Sequence, residues 1–176
     1  MTAKSGLRRF AGSSGLVIAA CFAAGLCGVR VNTSSSLPLG LYMRTDDAAA
    51  SLVEFCPAEP FASISRERGY RITGFSCSDH AVPLLKPVVA RAGDIVEVSP
   101  LGIAVNGWLL PNTSPLRTDA ANRPLIAWPT GRYAVGPGTV WVASTYSRAS
   151  YDSRYIGPVE ERSIRGRLKP LWLLRG

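Results

Sequence analysis

From Phe10 to Val29 the chain runs for twenty residues without a charge. At about 1.5 Å per residue, a helix of that length spans roughly the 30 Å hydrocarbon core of a bilayer. Lys4, Arg8 and Arg9 precede it, and basic flanks stay on the cytoplasmic side. The expected organisation is a cytoplasmic segment, 1–9, a signal or transmembrane anchor, 10–29, and an exported domain, 30–176. Small residues such as Ala19, Ala20, Ala23 and Ala24 also suit signal-peptide cleavage. Charge follows the same division. Of the net +8, half comes from Lys4, Arg8, Arg9 and Arg30, because no acid precedes residue 31. The other half is spread over many loops, so no nucleic-acid partner is expected. Arg162, Arg165, Arg167 and Lys169 read as a solvated face.

The exported part is too rich in turn residues for long helices, with 17 Gly and 13 Pro in the chain. Its apolar residues alternate or cluster in short runs, which is strand patterning. Leu37, Leu39 and Leu41 alternate with Pro38, Gly40 and Tyr42, predicting one apolar face. Ile95–Val98, Gly102–Val105 and Trp108–Leu110 read as strands, the last two joined at Asn106-Gly107, where both residues tolerate positive φ. Residues 111–130 are polar and proline-containing and read as a long loop. Arg132–Val135 and Thr139–Ala143 are expected to form a hairpin about Gly136-Pro137-Gly138, with Leu171–Leu174 a closing strand. Ala58–Arg68 is the one plausible helix. The expected fold is a mainly β, antiparallel domain preceded by one transmembrane helix.

Cys21 and Cys27 fall in the apolar run, whereas Cys56 and Cys77 fall in the exported part, where an oxidising compartment favours a Cys56–Cys77 disulfide. His80 is the single histidine and reads as a loop residue. With no second nitrogen or thiolate cluster at ligand spacing, neither a metal site nor a cofactor is expected.

Three stretches carry chemistry. Asn32 to Tyr42 presents Ser34, Ser35 and Ser36 just before Pro38. Pro83 to Asp94 places a lone lysine, Lys86, among Leu84, Leu85, Val88 and Val89. Ser150 to Val159 contains Ser150, Asp152 and Arg154. A serine hydroxyl is a weak nucleophile and needs a base beside it. A lysine serves once burial lowers its pKa, at about 1.4 kcal/mol per unit.

In the same order, these stretches resemble the boxes of the type I signal peptidase family. The run Ser36 to Tyr42 is similar to the Ser-x-Pro-x-Gly-Leu-Tyr pattern of its TraF-type branch, the maturation peptidases of conjugative transfer. The resemblance implies a signal-peptidase-like β domain with Ser36 as nucleophile and Lys86 as general base. It implies an oxyanion hole from the Ser36 N–H and the Ser34 hydroxyl, and Ser150 orienting Lys86 with Asp152 and Arg154 as supports. Ser35 is the competing nucleophile. Pro87 stands where the family commonly has arginine, so the strand carrying Lys86 is expected to be an edge there. The implied partners are the inner membrane and a propilin or other exported precursor. Processing would end in hydrolysis or head-to-tail cyclisation in a periplasmic domain. A retained anchor fits this, since seven residues, at up to about 3.6 Å each, keep Ser36 near the membrane. A general leader peptidase and a non-catalytic scaffold of a conjugative secretion channel are the alternatives.

Overall fold

The computed structural model describes Gly25 and residues 27–174. The predicted membrane segment lies almost wholly outside those residues, and among them no helix is long and apolar enough to cross a bilayer. Val29, set at the end of that segment by its lack of charge, is the first residue of a strand.

Among the described residues, eleven strands form two antiparallel sheets. In chain order they are β1 (Val29–Asn32), β2 (Gly40–Thr45), β3 (Leu52–Phe55), β4 (Leu84–Ala90), β5 (Ile95–Ser99), β6 (Gly102–Val105), β7 (Trp108–Leu109), β8 (Gly131–Ala134), β9 (Thr139–Val142), β10 (Val159–Glu160) and β11 (Ile164–Leu173). The larger sheet runs β1-β2-β11-β3-β4-β9-β10 and the smaller β7-β6-β5-β8. The described residues also form two short α-helices, α1 (Phe61–Glu67) and α2 (Ser153–Ile156), and a 3-10 turn at Glu161–Ser163. The helix expected at Ala58–Arg68 is thus the shorter α1.

β9 holds the two sheets together because both its faces are apolar. Val140 and Val142 join Val53, Phe55, Leu84, Tyr151 and Tyr155 in one core. Trp141, on the opposite face, packs with Val96, Val98 and Ile103 of the smaller sheet. A strand buried on both faces belongs inside a sheet. That is why the expected hairpin does not form: β9 pairs with β4 and β10, while β8 pairs with β5. β8 alternates, with Arg132 and Ala134 exposed and Tyr133 turned inward, as suits an edge. The Gly136-Pro137-Gly138 turn carries the chain from one sheet to the other.

Other expectations hold with changed detail. The β6–β7 hairpin turns at Asn106-Gly107 with φ of 50° and 85°. The closing strand is much longer than Leu171–Leu174, since β11 begins at Ile164 and pairs with both β2 and β3. Residues 111–130 contain no strand. The apolar face predicted for Leu37, Leu39 and Leu41 splits. Leu37 packs with Tyr42, Leu52 and Leu168, while Leu39 is exposed, because the regular strand begins only at Gly40.

β4 changes partner at its proline. Leu84 to Pro87 pair with β3 in register Phe55 to Leu52, whereas Val88 and Ala90 pair with β9. As a whole the strand is therefore interior to the sheet, and the edge expected at Pro87 is confined to its first half. That half has a ladder on the β3 side alone among the described residues. Pro87 needs no N–H partner at that change-over, and its carbonyl accepts from Ala143 N–H at 3.1 Å.

Candidate active site

The three stretches meet although 50 and 64 residues separate Lys86 from its two serine partners. Lys86 Nζ lies 2.7 Å from Ser36 Oγ and 2.9 Å from Ser150 Oγ. All three are buried, at 7%, 4% and 2% exposure for Ser36, Lys86 and Ser150. Side chains two apart on a strand share a face, so Leu84 and Val88 flank Lys86 while Leu85 and Val89 point away. Only half of the predicted apolar surround comes from the lysine's own strand. Val53, directly opposite on β3 and fully buried, supplies more. Burial pulls the amine down from 10.5 to about 8; the charge of Asp152 opposes this and that of Arg154 adds to it. A lysine so placed is partly neutral near pH 7, with a lone pair to accept a proton.

Ser36 sits in the turn between β1 and β2, with no strand ladder to hold it. Asn32 pins that turn from within. Its Nδ2 donates to the carbonyls of Ser34, Leu37 and Pro38 at 2.9, 3.2 and 3.1 Å. Its Oδ1 accepts the Ser34 N–H at 3.2 Å and the Ser34 hydroxyl at 2.9 Å. The side chain closing on the N–H two residues on is an Asx turn. Tyr42 adds its hydroxyl to Pro38 O at 2.7 Å. The Ser36 N–H has no partner among the described residues. Ser35 is exposed, and its hydroxyl meets Ser147 Oγ at 3.5 Å rather than the lysine.

Asp152 and Arg154 are not a surface pair but are 0% and 1% exposed. Asp152 caps α2 through the Arg154 N–H, and the two side chains meet in a fork of 2.8 and 2.7 Å. The guanidinium also donates to the carbonyls of Asn112, Ser144, Ser147 and Arg148. Ser153, between them, accepts the Val142 N–H at 2.9 Å and ties α2 to β9. Sequence reading missed Asn32 and Ser144. Asn-x-Ser before a serine turn was an available signal for the first. Ser144 lies in no motif, and its hydroxyl donates to Ser36 O at 2.6 Å.

The serines at 34–36 and Lys86 line a cavity of about 590 Å³, walled by Arg30, Glu54, Tyr151 and the segment Tyr70–Ile72. Cys56 and Cys77 form a disulfide, S–S 2.05 Å, in the loop that builds this last wall. Buried Arg71 fixes the same loop by pairing with Asp79 and donating to Ser65 Oγ at 2.8 Å. His80 is exposed in the turn that follows, away from the cavity lining.

The signal peptidase family, peptidase S26, matches residues 16–173. The chain belongs to that family. It is 36% identical over 163 residues to the plasmid transfer protein TraF of Escherichia coli, covering 91% of this chain and 90% of that one. It is 33% identical over 175 residues to the conjugal transfer protein TraF of Agrobacterium fabrum, covering 96% and 97%. A looser likeness, TM-score 0.39 at 18% identity, covers 72% of this chain and 99% of a signal peptidase I from Enterococcus faecalis. Family membership implies a serine peptidase acting on exported precursors.

Proposed function

We propose that this protein is a membrane-anchored serine endopeptidase that matures an exported propilin for conjugal plasmid transfer, with Ser36 as nucleophile and Lys86 as general base. The observation that carries this is the buried lysine amine, held down to about 8 and 2.7 Å from Ser36 Oγ. The amine takes the hydroxyl proton as Ser36 Oγ bonds to the scissile carbonyl carbon. It then returns the proton to the leaving amine as the C–N bond breaks, leaving an ester on Ser36. A second nucleophile, water or the amino terminus of the same pilin chain, loses its proton to Lys86 as it bonds to the ester carbon; the ester C–O bond breaks and Lys86 passes the proton to Ser36 Oγ, freeing the acyl group. Water gives hydrolysis, and the amine a cyclic product.

Oxyanion charge falls to the Ser36 N–H and the Ser34 hydroxyl, each such donor lowering the barrier by about 3 kcal/mol. The Ser34 hydroxyl bonds to Asn32 at rest, so it turns about Cβ–Oγ to serve. Ser150 orients the lysine from its other side. The substrate joins β4 as an added strand. By ladder alternation, Leu85 turns its N–H and C=O away from β3, on the side that Pro87 shares with Ala143. Residues 1–9 are cytoplasmic, 10–29 anchor the chain in the inner membrane, and the domain works in the periplasm. Two relatives named for plasmid and conjugal transfer, aligned over nine tenths of the chain or more, support a role in conjugal transfer over general leader processing.

Intact-mass analysis of a co-expressed pilin precursor with wild type, Ser36→Ala, Ser35→Ala and Lys86→Ala tests this. Processing by wild type and Ser35→Ala alone is expected. A product lighter than the linear mature chain by one water, about 18 Da, marks cyclisation of the acyl-enzyme product. Processing by Ser36→Ala or Lys86→Ala overturns the dyad, and processing of many unrelated exported precursors makes the enzyme a general leader peptidase.

A further inference from the structure

Ser36 lies outside any strand ladder, so something else must fix the direction of its Cα–Cβ bond. Its carbonyl is held by Ser144 Oγ at 2.6 Å, across 108 residues of sequence. Ser144 is 0% exposed. Its oxygen accepts the N–H of Tyr146 at 3.1 Å and of Ser147 at 3.2 Å. A hydroxyl has one proton and two lone pairs. With both lone pairs facing N–H donors, the proton has one direction left, toward the Ser36 carbonyl.

The peptide groups of Ser144 are gripped in turn by the buried ion pair. Its N–H donates to Asp152 Oδ2 at 2.9 Å, and its carbonyl accepts from Arg154 Nη2 at 3.2 Å. A continuous path therefore runs from the Asp152–Arg154 fork through Ser144 to the backbone of Ser36. It is separate from the path through Ser150 to the lysine amine. We infer that Ser144 is a positioning residue, through which Asp152 and Arg154 set the orientation of the nucleophile. This rests on the Ser36–Lys86 reading above. It assigns the ion pair two effects. Its charges act on Lys86 through space, and its hydrogen bonds act on Ser36 through Ser144.

The two effects are separable by rate and pH. A misplacement on the order of 1 Å costs about 100-fold in rate, so Ser144→Ala is expected to lower kcat by about 10- to 100-fold with KM little changed. Its acid limb in the pH–rate profile should stay where the wild type has it, because the lysine's surroundings keep their charges. Ser144→Thr, which retains the hydroxyl, should recover most of kcat. In a double-mutant cycle, Asp152→Asn should lower plateau kcat in the wild-type background and lower it little further in Ser144→Ala, while still moving the acid limb in both.

The assay is single-turnover processing of a pilin precursor of the same transfer system by the full-length enzyme in detergent. Should Ser144→Ala not fold, Ser144→Cys, of similar volume and weaker donor strength, carries the same comparison. Wild-type kcat in the Ala or Cys variant, or full additivity with Asp152→Asn, overturns the inference. Processing that survives Ser36→Ala or Lys86→Ala instead overturns the dyad reading, so the two failures are distinguishable.

Discussion

Replacing Lys86 by Met keeps most of the side-chain volume and removes the charge. The wild-type amine is held down first by loss of water, with Asp152 opposing and Arg154 adding to that loss. In the unfolded chain it regains its ordinary value, so between pH 8 and 10.5 the unfolded state binds the extra proton. Stability therefore rises with pH across that window. Below pH 8 the whole difference is a destabilisation carried by the folded wild type. The gap from 10.5 to about 8, at about 1.4 kcal/mol per unit, amounts to about 3 kcal/mol. Relative to wild type, Lys86→Met should be about 3 kcal/mol better placed at neutral pH than above pH 10.5. Any constant loss from depriving Ser36 and Ser150 of their Nζ partner leaves this difference unchanged. Urea unfolding of the two proteins in one detergent, repeated from pH 7 to 10.5, measures it, and groups common to both chains cancel. A difference that stays flat with pH would refute the reasoning, because the lysine would then titrate as it does in water.

Activity should follow the same amine, and kcat/KM is expected to climb about tenfold per pH unit below about 8 and level off above it. Asp152→Asn removes the charge that raises Lys86, so the acid limb should move to lower pH. A thermal melt of that variant should show a loss of about 3–5 kcal/mol, because Arg154 stays buried without its partner. Cys56 and Cys77 are 21 residues apart. Changing both to Ser should cost about 3 kcal/mol in a denaturant titration through the freed unfolded chain, independent of pH. Gly157→Ala meets two obstacles, a φ of 69° and a Cβ placed 2.6 Å from the Trp128 ring. It should lose about 2 kcal/mol or more.

The membership of the site was legible because its chemistry sits in local motifs. Ser36, Lys86, Ser150, Asp152 and Arg154 are singled out by the resemblance of three stretches to the signal peptidase boxes; by composition alone the serine run reads as a linker and Asp152 with Arg154 as a surface pair. Their distances were not legible, since the β3–β4–β9 pairing that folds Lys86 against Val53 spans the chain. Nor was the source of the lysine's burial, which comes in part from a neighbouring strand. Ser144 escaped because its role rests on the tertiary reach of one hydroxyl to Ser36. Asn32 was hidden by proximity, an ordinary turn residue until its amide is seen to meet three carbonyls. The hairpin expected at Arg132–Ala143 failed for a readable reason. Val140, Trp141 and Val142 are consecutive apolar residues, which marks a strand buried on both faces rather than an alternating hairpin arm. The anchor at 10–29 rests on hydropathy and flanking charge, for it lies almost entirely outside the described residues.

The most direct measurement is acid-quench trapping of the acyl-enzyme followed by peptide mapping. Full-length enzyme is mixed with a pilin precursor, quenched during turnover and digested with trypsin, and the peptide Val31–Arg44, which holds all three serines of the turn, is sequenced by mass. An ester to the precursor's acyl fragment is expected on Ser36, present in wild type and absent in Ser36→Ala and Lys86→Ala. An adduct on Ser35, or efficient processing with no ester on any of the three serines, would contradict the account.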